Sequence, residues 1–311
     1  MKKTQLICLL LMAMFAVACN KSEGYGDLSV DVGYSVNGKG LITDTLCYRN
    51  EAGNAFMITE IQWFISKMEL QNEQGEWIAL AHRDVGTKTS DATSRTFYID
   101  TNIPESQTLA LAPIPIGKYT KLRFVFGLDE EYNQTGLFSD SPEANMFWPE
   151  TLGGGYHYMK LNGRFVNAEN ELVPLNVHLG IGQTDSQTEF LHNHFIVELP
   201  IDLTISENAD NQLHLCMIID NWFRSPNLYD FNEYGSAIMQ NQAAQQALKE
   251  NGHNVFVINE EKSNDIAMKK DDILKGFNGF MQKAAPKPHF WSWKNVKQTI
   301  AHIKENNKQH S

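Results

Sequence analysis

Hydrophobic and polar residues alternate strictly from Leu28 to Val36. Leu28, Val30, Val32, Tyr34 and Val36 share one side, with serines, an aspartate and a glycine between them. A period of two predicts a strand with one buried face. Asn37-Gly38-Lys39-Gly40 supplies turn chemistry after it. Ile61, Trp63 and Ile65 keep the same period, and the phase slips before Met68 and Leu70, as a bulge would cause. Gln74-Gly75 predicts a turn into a strand at Trp77–Leu80, and Thr96–Ile99 and Thr108–Leu111 are shorter candidates. Leu122, Phe124, Phe126 and Leu128 alternate after a turn at Gly117. Further strands are expected at Tyr156–Val166, Leu172–Leu179, Phe195–Ile201 and Leu213–Ile219. So many short strands separated by turns predict a mostly β fold, an antiparallel sandwich or barrel-like domain, rather than βαβ units.

Beyond Phe223 the pattern changes. Glu233–Glu250 is rich in Ala and Gln and meets Asn251-Gly252, which predicts a helix with a glycine stop. Asp271-Asp272 is placed to cap a second helix, whose Ile273, Leu274, Phe277, Phe280 and Met281 fall at helical spacing. After Pro286-Lys287-Pro288, Val296, Ile300 and Ile303 predict a third, shorter helix. The expected division is therefore a β-domain over 28–230 and a helical C-terminal extension over 231–311.

The N-terminus carries a different signal. Lys2 and Lys3 precede an apolar run from Leu6 to Val17, too short for a permanent span of about 20 residues. A basic start, a short apolar stretch and small residues before a cut mark a removable export signal over residues 1–18. Ala16-Val17-Ala18-Cys19 fits a lipobox, with lipid attachment at Cys19 and a tether over 19–27. The alternative is plain cleavage after Ala18 with an incidental Cys19. Removing the two signal lysines lowers the formal charge from −11 to −13. An acidic chain with no basic stripe is excluded as a nucleic-acid binder. Cys8 leaves with the signal and Cys19 takes lipid, so Cys47 and Cys216 remain. They either pair in an oxidising compartment or serve as small apolar residues.

Enzyme signatures are missing: there is no nucleophile elbow, Walker loop or dinucleotide fingerprint. Gly153-Gly154-Gly155 does not join a strand to a helix, so it is no phosphate cradle. Histidines are more informative. His82, His253, His289, His302 and His310 lie in loops or the tail, whereas His157, His178, His192, His194 and His214 lie in or beside predicted strands. His157 is expected to share a strand face with Met159 and Leu161, and His178 to face away from Val177 and Leu179. His192-Asn193-His194 puts two imidazoles on one side of a strand. Imidazole suits copper or zinc, and thioether neighbours favour the cuprous ion. A hydrogen-bonded structural role is the competing reading for each.

Four segments, in order and spacing, carry a resemblance: Gly53–Leu70 (GNAFMITEIQWFISKMEL), Ile114–Asn133 (IPIGKYTKLRFVFGLDEEYN), Met146–Gly163 (MFWPETLGGGYHYMKLNG) and Val177–Gly182 (VHLGIG). Together with Asp220–Phe231 (DNWFRSPNLYDF) they resemble the MbnP-like copper-binding family over roughly Leu28 to Tyr229. The resemblance implies an exported, β-rich, periplasmic or surface-facing protein that binds copper; joined to the lipobox at Cys19, the expectation is a non-catalytic copper-binding protein lipid-anchored to the outer membrane. In some relatives the site joins histidines to a tryptophan oxidised to kynurenine by a di-haem peroxidase-like partner. Carried onto this chain, the matching residues are His157, His178 and Trp148; His194, from the His-x-His pair, completes the candidate metal residues, with copper the expected ion and no organic cofactor.

The chain departs from the family pattern in two places. Thr96 and Phe97 stand where many relatives carry a histidine, and Pro149-Glu150 replaces the second tryptophan of a Phe-Trp-x-Trp motif. A core or turn aromatic is thus the other reading of Trp148. From a different class, a β-sandwich adhesin or glycan-binding lipoprotein would use Trp77 or the His289–Trp293 aromatics as stacking platforms. Gly-flanked strand histidines serve no purpose in that reading.

Overall fold

The alternation that begins the chain becomes strand β1, Leu28–Val36, with every second side chain buried. The computed structural model describes residues 24–83, 90–184 and 189–259. Cys19, the export signal, the two helices expected beyond Asp271 and the His289–Trp293 aromatics lie outside the described residues. Strand β2, Ala55–Asn72, is the spine of the domain at 18 residues. Its expected slip is real. Lys67 takes φ +49°, and the register against the neighbouring strand shifts opposite it, between Arg123 and Val125. The extra residue turns Met68 and Leu70 back into the core.

The other principal strands are β3 (Thr96–Asp100), β4 (Gly117–Phe126), β5 (Met159–Val166), β6 (Leu172–Leu179), β7 (Phe195–Ile205) and β8 (Asn211–Ile218). Helix α1 (Gln242–Gly252) and strand β9 (Phe256–Asn259) follow. Asn241 caps α1 by accepting from the Ala244 N–H. At its other end Gly252 lies so close to the Phe195 ring that a Cβ there would fall 2.2 Å from Cζ. The described part of the region beyond residue 230 is therefore a short helix at Phe231–Tyr234, α1 and the strand β9, which completes a sheet edge beside β8.

One sheet runs β6-β5-β2-β4-β7, with β3 also on β2. The second runs β9-β8-β1, continued by Lys39–Gly40, with Thr108–Ala110 also on β1. Pairing is antiparallel throughout except that β1 and β8 run parallel. The chain is a mostly β sandwich, and neither sheet closes into a barrel. Between the sheets, Trp63, Phe124, Phe126, Phe195, Trp222 and Phe256 form an aromatic core. Burial of such rings supplies most of the driving force for folding. The Trp63 indole N–H donates to the Tyr34 hydroxyl at 3.0 Å, bonding the two sheets through the core. Cys47 is exposed and Cys216 is buried, and they form no disulfide.

Candidate metal centre

His178 lies on β6 between the buried Val177 and Leu179, on the opposite face, as the alternation requires. The β5–β6 register sets Lys160 across from it. A His178 Nε2–Asn162 Oδ1 contact of 2.8 Å holds the ring. Asn162 Nδ2 donates to Glu60 Oε2 at 3.1 Å, which fixes the amide with its oxygen toward His178. His178 Nε2 therefore carries the proton and Nδ1 the lone pair.

His157 arrives by a different route. Gly153, Gly154 and Gly155 take φ of +115°, +69° and +75°, where L side chains are disfavoured. Their turn folds the chain back, so that Trp148 N–H donates to Gly155 O at 2.8 Å and His157 N–H to Met146 O at 2.6 Å. These bonds tie up the backbone that was expected to start a strand at Tyr156. Strand β5 starts instead at Met159, and His157 sits on the loop ahead of it. The side chain is buried, 5% exposed. Its Nδ1 donates to Met146 O at 2.9 Å, because a carbonyl only accepts. Nε2 is then a buried lone pair with no hydrogen-bond partner.

The three side chains converge. The Trp148 and His157 rings meet edge to face with centroids 4.6 Å apart, and those of His157 and His178 do so at 5.1 Å. Trp148 is fully buried and donates through Nε1 to Leu152 O at 3.1 Å. Gly180 lets the backbone pass beneath the indole, where a Cβ would lie 2.6 Å from Cε3. Burial lowers the pKa of His157 to about 3, opposed by its Met146 contact and aided by Lys160. Burial and then Lys160 lower that of His178 to about 4. Both rings are neutral at pH 7, the form in which imidazole ligates a metal.

His194 is placed elsewhere. It joins His192 and Glu130 in a group whose ligand atoms all lie within 4.8 Å of one another. Burial lowers the pKa of His194, with Glu130 and Asp129 opposing. The His-x-His pair does not sit inside a strand. A strand at Phe190–His192 ends there, and β7 begins at Phe195.

A family model for MbnP matches residues 25–241. The chain belongs to the MbnP family. The MbnP from Methylosinus trichosporium is similar in structure at 14% identity, with a TM-score of 0.47, covering 66% of this chain and 80% of that one. No match is found among curated protein sequences. In this MbnP-family chain the matched region takes in Trp148, His157, His178, His192 and His194, and ends just before α1.

Sequence reasoning missed Glu60, Asn162 and Met146, which orient the imidazoles, and Glu130, which faces His192 and His194. Glu130 stands in an Asp129-Glu130-Glu131 run that reads as a solvated surface. Only the fold brings it to the His-x-His turn. Trp77, raised as a stacking platform for glycans, is half-buried, with the Arg123 guanidinium 3.8 Å above its ring.

Proposed function

We propose that the chain is a lipid-anchored, non-catalytic copper-binding protein whose site is built by His157, His178 and Trp148. The observation that carries this reading is the buried, unpartnered Nε2 of His157 beside a second neutral imidazole. A buried polar atom without a partner is costly, about 1–3 kcal/mol. A soft cation that takes up that lone pair removes the cost and suits a pair of imidazoles with low coordination number. Outer hydrogen bonds donated by the rings to Asn162 Oδ1 and the Met146 carbonyl already set each ring's tautomer.

Membership of the MbnP family supports copper as the ion. The resemblance drawn from the sequence extends the reading to oxidation of Trp148 by an exported haem peroxidase-like partner. Trp148 is suited to that role by its place against His157, where a ring-opened product would add donor atoms to the pair of imidazoles. Because Trp148 is fully buried, such a partner would draw electrons from it at a distance, its peroxide being reduced to water, while water supplies the oxygens that open the ring and the lost ring carbon leaves as formate. Lipid attachment at Cys19 would hold the protein at the outer membrane, where the partner is exported too.

The test is elemental analysis of untagged protein followed by copper(I) titration under reducing conditions. Copper binding that survives in both His157→Ala and His178→Ala excludes the site. Peptide mapping after co-expression with a haem peroxidase tests Trp148 separately, through the mass of the peptide that carries it. Membrane partition of the wild-type protein against Cys19→Ser tests the anchor.

A further inference from the structure

The turn between the Phe190–His192 strand and β7 is built more firmly than a loop needs. Asn193, 1% exposed, points inward while His192 and His194 flank it. Its Nδ2 donates to Gly180 O at 2.9 Å and to Gln245 Oε1 at 3.1 Å, and its Oδ1 accepts from Gln242 Nε2 at 3.1 Å. Lys249 Nζ donates to His192 O at 2.8 Å. Gln242, Gln245 and Lys249 all belong to α1, beyond the family-matched residues. A helix outside the family core thus clamps the backbone that carries both imidazoles.

What those imidazoles face is a carboxylate. His194 Nε2 lies 3.6 Å from Glu130 Oε2, and His192 Nε2 lies 3.9 Å from Glu130 Oε1. Both distances exceed a hydrogen bond. The Nδ1 atoms of both rings are buried away from Glu130, so the lone pairs available to an ion are those of Nε2, the atoms that face the carboxylate. Two half-buried imidazoles without hydrogen bonds among the described residues call for an explanation. Donor atoms around a tetrahedral zinc ion at 2.0–2.1 Å stand roughly 3.4 Å apart. The observed separations approach that value, and the exposed Glu130 side chain is able to close the remainder by rotation.

We infer that Glu130, His192 and His194 form a second metal site, distinct from the copper centre, for a divalent transition-metal ion of the zinc class. Two nitrogens disfavour calcium and magnesium, which take oxygen ligands. The hard carboxylate of Glu130 disfavours the cuprous ion. The surrounding charge admits a cation. Asp129 and Glu131 are bridged by Lys67, while Lys249 is turned to the His192 carbonyl, so Glu130 is the acid left facing the imidazoles. Three protein ligands leave a fourth position open to solvent, as in zinc sites that exchange a ligand.

The experiment is zinc(II) titration of the full chain in a His157→Ala/His178→Ala background, which removes the copper centre and isolates this site. One zinc per chain is expected, with affinity at least tenfold weaker after Glu130→Gln and after His192→Ala/His194→Ala. Glu130 is exposed, so Glu130→Gln keeps the fold and remains decisive if the histidine variant does not. Unchanged zinc affinity in Glu130→Gln, or no zinc binding in the background protein, overturns the inference. Copper(I) titration of Glu130→Gln in the otherwise wild-type chain is expected to be unchanged, which separates failure here from failure at the copper centre.

Discussion

Nε2 of His178 donates to Oδ1 of Asn162 at 2.8 Å, and that bond selects which nitrogen of His178 is left to bind an ion. Its hold on the ring comes in turn from Glu60, which accepts from the Asn162 amide. Asn162→Leu keeps the side-chain bulk and removes the acceptor. Copper(I) affinity is expected to fall about tenfold or more, in the range found when an outer hydrogen bond to a metal histidine is lost. Competition with a chelator of known affinity measures it, and unchanged affinity would mean the tautomer is set by something else.

Gly180 carries the backbone beneath Trp148. Gly180→Ala places a methyl group 2.6 Å from Cε3 of a fully buried indole. Overpacking of this kind costs about 1–3 kcal/mol. Urea unfolding should show a lower midpoint, and the tryptophan emission of the folded protein should change because the displaced ring is Trp148.

Stability of the metal-free protein should fall as acid is added well before the carboxylates titrate. The folded pKa values of about 3 for His157 and about 4 for His178 lie below the ordinary 6.5. Below 6.5 the unfolded chain therefore binds protons that the folded chain does not. Stability is full above that pH and is lost down to the folded pKa values, at about 1.4 kcal/mol per pH unit for each ring. Between about pH 7.0 and 5.5 each histidine should contribute about 1 kcal/mol of loss. Denaturant unfolding at the two pH values measures it, and His157→Gln and His178→Gln should each flatten the dependence.

The bond between Trp63 and Tyr34 joins the two sheets inside the core. Tyr34→Phe leaves the Trp63 N–H buried without an acceptor, at a cost of about 1–3 kcal/mol. Thermal unfolding should report this with no change in copper stoichiometry, because neither residue belongs to the site.

Local pattern was enough for elements whose two faces see different surroundings. The alternation of Leu28–Val36 and of Leu172–Leu179 marks both strands at their observed bounds, and the slip before Met68 marks the bulge at Lys67. Strand β9 was missed because it is only four residues at a sheet edge, supported by β8 rather than by its own pattern. The start of β5 was misplaced because the Gly155 carbonyl and the His157 N–H bond to the Met146–Trp148 segment and the Tyr156 N–H donates to Asn133 Oδ1, instead of joining a ladder. The candidate site divides along the same line. Residue types and family spacing singled out His157, His178 and Trp148, whose rings the fold brings into contact. His194 was grouped with them by type alone, whereas its partners His192 and Glu130 are chosen by a turn clamped from α1.

The most direct measurement of the central claim is copper(I) competition titration of the wild-type chain beside His157→Ala and His178→Ala, each verified as folded by circular dichroism. One copper(I) per wild-type chain is expected, weakened at least a hundredfold in either variant. A wild-type protein that takes up no copper(I), or variants that bind it as the wild type does, would contradict the account.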